Sequence, residues 1–378
     1  MSRVEIQGRC DPAFQAVADA FRRTFDLPGE LGGSVSVVRD GRAVVDLWAG
    51  HADAGRARPW AEDTLVNVWS TTKGVMALCI ARLNDQGLLR NDRPVAEYWP
   101  EFAAHGKGDV TVAQLFSHQA GVCGPGRPVS EAELLDTDVM ADLLAAEPPH
   151  WPPGSRSGYH ALSIGPLADG LVRRVAGKTV GAYFRDEIGG PSDVDFHMGL
   201  HPDDSARVAE IAHDGRPQSG GVETFNAYQR LAQVNIPVEA HLANLPAWRA
   251  QGTPSAAGQG NARSIARLYG ALATDRTLAG RELVSAGALG AATTPQIENE
   301  DLVLRFPIRW GVGFALNPMG AYGPNAGAFG HHGWGGSFGF ADPAARLGVG
   351  YAMNFMREPD GAPDPRMSSL VEAVYACA

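Results

Sequence analysis

Residues 70–89 read STTKGVMALCIARLNDQGLL, and the fold turns on what this stretch is. From Val75 to Leu83 the residues are apolar almost all round a helix rather than along one stripe, which predicts a helix buried on most of its sides. Gly87 fits its C-terminal cap. At the head stand Ser70 and Lys73, three positions apart, so both side chains share one face, roughly 5–6 Å apart at Cβ. A lysine there takes the serine's proton when it is neutral, and burial near other cationic groups is what lowers a lysine pKa. The helix N-terminus adds backbone N–H groups and positive potential, which favour developing negative charge on the serine.

Taken alone, S-x-x-K also arises as a solvated pair at a helix start. Here Lys73, Lys107 and Lys178 are the only lysines in the chain, so a chance occurrence is less expected than usual. A structural lysine at the head of a buried helix would also be costly. The chemistry needs a third group to relay the proton to the leaving group. HWPPGSRSGYHALSIG (150–165) offers Tyr159, between a Pro-Pro-Gly turn and a helical run. The bland alternative is a packed aromatic with a satisfied hydroxyl.

Working outward, GGSVSVVRDGRAVVDLWAG (32–50) is a hairpin signal, two Val-rich runs about the D-G turn Arg39-Asp40-Gly41-Arg42. Before it, PAFQAVADAFRRTF predicts a helix, with Phe14, Val17, Phe21 and Phe25 at three-to-four spacing. From about 90 to 295 helical segments alternate with Pro/Gly-rich connections, and about 201–260 is irregular. After about 300 come the strand-like runs RWGVGFAL, GAFGHH, GSFGFADP and RLGVGYAMNF, closed by a helix, MSSLVEAVYACA. Strands at both ends predict an α+β fold, one sheet built from both termini with helices on it and a helical lobe inserted. The expected division is 1–68 with 296–378 as the sheet domain and 69–295 as the mainly helical one.

A rival nucleophile sits in GHHGWGGSFGF (330–340), where Gly335-Gly336-Ser337-Phe338-Gly339 spells G-x-S-x-G. That pattern requires a tight turn from a strand into a helix. The residues after Ser337 read instead as a strand, an Asp-Pro turn and another strand, and a chain with 46 glycines yields the pattern easily. Ser337 is therefore expected to be a bystander. Gly177-Lys178-Thr179 hints at a phosphate loop, but Val172 stands where its first glycine belongs. A metal at His331-His332 is not expected, because neighbours on a strand point to opposite faces.

Composition excludes several classes. The 378 residues carry a net charge of −10 with no basic run, which argues against nucleic acid as a partner. No window approaches the roughly 18 apolar residues of a membrane span. The first residues show no secretory h-region. Cys10, Cys79, Cys123 and Cys377 are isolated, and free thiols in a cytoplasmic protein are expected.

Ser70-x-x-Lys73, then Pro153-Gly154 before Tyr159, then a Gly-His-x-Gly strand resembles the serine hydrolases related to class C β-lactamases, and within them the family VIII carboxylesterases. LFSHQAG (115–121), the Asp342-Pro343 turn and YAMNF (351–355) are similar too, so the likeness spans about residue 33 to the end. The resemblance implies a β-lactamase-like fold, an antiparallel sheet flanked by helices plus a helical domain, with the active site at the interface of the two. It also implies an acyl-enzyme on Ser70, with Lys73 as base, Tyr159 as proton relay and no cofactor. The third box is His331-His332-Gly333, and the backbone N–H groups of Ser70 and Trp334 are the implied oxyanion donors. His331, Gly333 and Trp151 are expected to line the pocket; His118 and His160 are expected to be structural, and His332 to face away.

Departures from the family pattern bear on the substrate. The second box, usually Y-x-N in β-lactamases, is Tyr159-His160-Ala161, and His331 replaces the lysine of the third box. Both weaken recognition of a β-lactam and leave acyl transfer intact, so a small carboxylic ester is the expected substrate. The alternatives are a β-lactamase, D-amino-acid peptidase or acyltransferase on the same machinery, or a non-catalytic binding protein of the penicillin-recognition type.

Overall fold

The Val-rich hairpin forms as its sequence dictates: Asp40 and Gly41 both take positive φ, 51° and 76°, the backbone of a two-residue turn whose twist matches its strands. In this computed structural model, residues 4–213, 222–357 and 364–378 are described; 214–221, inside the stretch expected to be irregular, lie outside them. The hairpin strands belong to a nine-stranded antiparallel sheet. Its members are β1 (Ile6–Cys10), β2 (Gly32–Arg39), β3 (Arg42–Gly50), β4 (Ile297–Glu300), β5 (Pro307–Trp310), β6 (Ala315–Leu316), β7 (Phe329–His332), β8 (Phe338–Asp342) and β9 (Leu347–Met353). They lie in the order β1-β3-β2-β9-β8-β7-β6-β5-β4, so β2 pairs with β9 and the two ends of the chain close one sheet.

Among the helices are α1 (Gln15–Thr24), α2 (Thr72–Asp85), α3 (Val112–Phe116), α4 (Thr137–Ala146), α5 (Ile164–Ala176), α6 (Ala262–Leu272), α7 (Ala286–Thr293) and α8 (Pro365–Cys377). On one side of the sheet α1 packs with α8, and α1 buries Val17 and Phe21. On β8 and β9 the alternating glycines Gly339, Gly348 and Gly350 leave no side chain in the way, and α6 lies directly on them. A methyl at Gly348 would run into the Gly270 backbone.

Helix α2 is buried at every position from Thr72 to Ala81 and again at Leu83, the all-round burial its composition predicts. It packs on α7 and against β7. The extended pair Val66–Asn67, leading into Ser70, is bonded to Gln259–Gly260, which in turn pairs with Phe196–His197. This small sheet brings residues 255–259 beside the head of α2. The four cysteines are unpaired. Among the described residues no helix is long and apolar enough to cross a membrane.

Candidate active site

Ser70 lies in the 3-10 turn Trp69–Thr71 that opens into α2. The residue before it, Trp69, holds φ at +47°, a conformation a bulky side chain adopts only under constraint. Several contacts impose it. The Trp69 ring is buried 4.8 Å from that of Trp334 and 5.9 Å from that of Trp248. Thr72 Oγ1 donates to the Trp69 carbonyl at 2.5 Å and accepts from Gly258 N at 3.0 Å.

Lys73 is fully buried, and its Nζ stands 3.0 Å from Ser70 Oγ, 2.7 Å from the Ala161 carbonyl and 2.7 Å from the Ser255 carbonyl. A neutral amine has two N–H donors and one lone pair. The two carbonyls take the donors, and the lone pair is left for the Ser70 hydroxyl. As an ammonium the same nitrogen makes the same three contacts, with only the Ser70 bond reversed. A proton can thus move between the two without rearranging either group. Burial drives the Lys73 pKa well below the ordinary lysine value, which supplies the neutral form.

Tyr159 is buried with its ring 4.9 Å from Lys73 Nζ. Burial raises its pKa and a hydrogen bond with the Ser70 side chain opposes the rise; Asp301 adds to it, so the phenol stays protonated. The structure therefore gathers Ser70, Lys73 and Tyr159 in one cluster. His331 joins it as a ring stacked 6.0 Å from Tyr159 and 6.0 Å from Trp310. Its Nδ1 lies 2.8 Å from the His332 carbonyl, and burial and Lys73 push its pKa well down, so it is a neutral imidazole with the proton on Nδ1.

Of the other histidines singled out in the sequence, His118 packs its ring 5.0 Å from that of Tyr159. His332 lies 3.4 Å through Nδ1 from the Tyr322 hydroxyl. His160 has its pKa pushed down to about 4 by burial and is bonded at 2.7 Å to the Gly158 carbonyl; its backbone N–H donates to His118 Nδ1 at 3.2 Å. Trp151 donates to the Arg156 carbonyl at 2.9 Å and packs on His160 and Tyr228, backing the Tyr159 loop.

After β7 the chain makes a turn in which Gly336 N donates to the Gly333 carbonyl at 3.2 Å, with Trp334 at its first corner and Gly335, φ +84°, at its second. Gly333 sits so close to the Val68 carbonyl and Ser337 Oγ that a side chain there would collide with both. The turn that carries Trp334 is thereby held against the backbone two residues before Ser70. Ser337 is buried and committed to this contact: its hydroxyl donates to the Val68 carbonyl at 2.7 Å and lies 3.0 Å from Thr71 Oγ1. The chain continues from it into β8 and β9, and no helix opens there. Gly177-Lys178-Thr179 is likewise structural, a left-handed cap on α5, an ion pair to Asp186 at 2.9 Å and the cap of the next helix.

Residue types had not pointed to the Ala161 and Ser255 carbonyls, to Asp301 or to Arg366. Arg366, buried at the start of α8, donates to the Gly335 carbonyl, to Glu30 at 2.9 Å and to the Phe355 carbonyl at 2.8 Å, and so pins the turn from beneath.

A family model described as Beta-lactamase matches residues 18–371. Among curated proteins, the chain is 38% identical over 367 residues to the esterase/beta-lactamase LipL of Mycobacterium tuberculosis, covering 92% of this chain and 82% of that one. Among solved structures it superposes on a family VIII carboxylesterase with a TM-score of 0.93 and 46% identity, over 99% of this chain and 100% of the other. It superposes equally, TM-score 0.93 and 41% identity over 99% and 100%, on a penicillin-binding protein homolog from Caulobacter crescentus.

Proposed function

The chain belongs to the beta-lactamase family, and from there we propose that it is a serine carboxylesterase that cleaves short-chain carboxylic esters through an acyl-enzyme on Ser70. The observation that carries this is Lys73 Nζ, buried 3.0 Å from Ser70 Oγ with its other two contacts taken by carbonyl oxygens. In the proposed cycle Ser70 Oγ attacks the ester carbonyl carbon as its proton passes to Lys73. The tetrahedral oxygen is received by the N–H groups of Ser70 and Trp334, a contribution of roughly 3–4 kcal/mol per donor. Tyr159 passes a proton to the departing alkoxide and is reprotonated from Lys73. Water, deprotonated by the same pair, then releases the acid and restores Ser70.

The substrate preference rests on charge. His331 is neutral where the β-lactamase pattern has a lysine, so nothing at that position attracts a carboxylate. Esters need no such anchor. The likeness to a family VIII carboxylesterase and to LipL supports the same choice. We further propose a division into a sheet domain, 1–68 with 296–378, and a mainly helical domain, 69–295, from which α6 docks onto the sheet. A cytoplasmic location fits the four free thiols.

The test compares p-nitrophenyl acetate and butyrate hydrolysis in Ser70→Ala and Ser337→Ala. The first variant should lose turnover and the second keep most of it; equal losses overturn the assignment. Cleavage of lactams or D-amino-acid peptides on the same machinery is the second reading, favoured by the likeness to an esterase/beta-lactamase and to a penicillin-binding protein homolog. Steady-state nitrocefin turnover rivalling the ester rate would establish it instead. A purely binding role predicts that a fluorophosphonate leaves folded protein unlabelled.

A further inference from the structure

We propose that Asp301 is a positioning residue for the proton relay: its buried carboxylate holds Tyr159 by the backbone and by the indole that Tyr159 stacks on. This rests on the reading of Tyr159 as the relay. Asp301 lies in the turn between β4 and β5, fully buried. One of its oxygens, Oδ1, accepts from Tyr159 N at 2.9 Å, from Val303 N at 2.9 Å and from Leu304 N at 3.0 Å. The other, Oδ2, accepts from Ser157 Oγ at 2.7 Å and from Trp310 Nε1 at 3.4 Å. All five donors are neutral. Trp310 lies parallel to the Tyr159 ring, 5.6 Å away with 1° between the planes. One carboxylate therefore fixes the relay residue at its backbone and at its ring.

The same strand and turn are sewn together on both sides. Ser157 N donates to Asn299 Oδ1 at 3.2 Å, and Leu302 N donates to the Ser157 carbonyl at 2.9 Å. A neutral residue could serve the backbone contacts, but a buried carboxylate is costly unless its charge is met by donors, so the five bonds form a matched set.

The charge has a second consequence. Tyr159 is faced by Lys73 from α2, by His118 after α3, by His331 from β7 and by Asp301, with His160 next to it in the chain. The histidines are neutral, held so chiefly by burial. Asp301 is then the one anion in this set and opposes ionisation of the phenol. Burial does most to keep Tyr159 protonated, and Asp301 adds to it.

The variant that tests this is Asp301→Asn, nearly identical in shape but uncharged, assayed with p-nitrophenyl acetate across pH beside Tyr159→Phe. Misplacing a catalytic group by about 1 Å costs roughly 100-fold in rate. Asp301→Asn should lose roughly 10- to 100-fold in kcat with KM changed only a few-fold. A folded Asp301→Asn with kcat within two-fold of the parent, while Tyr159→Phe is inactive, overturns the proposal alone. A Tyr159→Phe variant as active as the parent overturns the relay reading itself. If Asp301→Asn does not fold, Ser157→Ala, which removes only the hydroxyl on Oδ2, takes its place: a several-fold loss of kcat supports the proposal, and an unchanged kcat overturns it.

Discussion

At the scale of single residues, the base role proposed for Lys73 predicts the pH behaviour. Its pKa is lowered by burial, and it acts as a base only when unprotonated, so activity should fall as pH drops through that lowered value. The acid limb of kcat/KM should therefore report one proton. His331, already neutral, should not set it: His331→Asn is expected to leave the limb where it stands, and a limb that vanishes in that variant would assign it to the histidine instead. Lys73→Met should cost about 10²–10⁴-fold in kcat, the usual range for a positioned base. Ser337→Ala removes one buried hydroxyl with two contacts; it should lower stability by roughly 1–2 kcal/mol in denaturant unfolding and leave ester turnover largely intact.

At the scale of elements, the site is assembled by three pieces of chain held in unusual ways. They are the strained Trp69 before α2, the loop 157–161 tied to the turn at 301, and the turn Gly333–Gly336 resting on Arg366. Gly336 has φ +124°, and a side chain there would strike the Arg366 guanidinium. Gly336→Ala should therefore displace the turn, lowering kcat by at least 10-fold and stability by more than about 1 kcal/mol, read by kinetics and thermal unfolding on the same sample. An unchanged kcat would mean that this turn does not shape the oxyanion site. Legibility in the sequence divides along the same lines. Helix α2 and the 32–50 hairpin could be read because apolar run and D-G turn are local signals. Ser70, Lys73 and Tyr159 stood out by residue type and order. The Ala161 and Ser255 carbonyls could not, because a carbonyl oxygen carries no residue signature and comes from 88 and 182 positions away. Asp301 lies in ENEDLVLRF as one acid among several, and only the fold reveals that it is the buried one. Arg366, in the first turn of the last helix, is legible as a clamp only once Gly335 lies over it.

At the scale of the whole molecule, buried charge tunes stability away from the site as well. Asp169, within α5, has its pKa raised by burial from the ordinary 3.8 to about 7, against the pull of the Val180 N–H it accepts at 2.7 Å. The folded state then binds a proton that the unfolded state has released, so this residue's contribution to stability is greatest below the ordinary aspartate value and falls as pH rises through about 7. Asp169→Asn keeps an acceptor for Val180. It should stabilise the fold by roughly 2–3 kcal/mol more at about pH 8.5 than at about pH 5, measured by urea unfolding at both. A variant that stabilises equally at both values would remove the titration from the account.

Covalent labelling decides whether acyl transfer runs through the serine at the head of α2, as proposed, or through the G-x-S-x-G serine after β7. Folded protein treated with a fluorophosphonate and digested should yield a single adduct, on the peptide carrying Ser70, absent from Ser70→Ala and undiminished in Ser337→Ala. An adduct on the peptide carrying Ser337, or labelling that survives in Ser70→Ala, would contradict it.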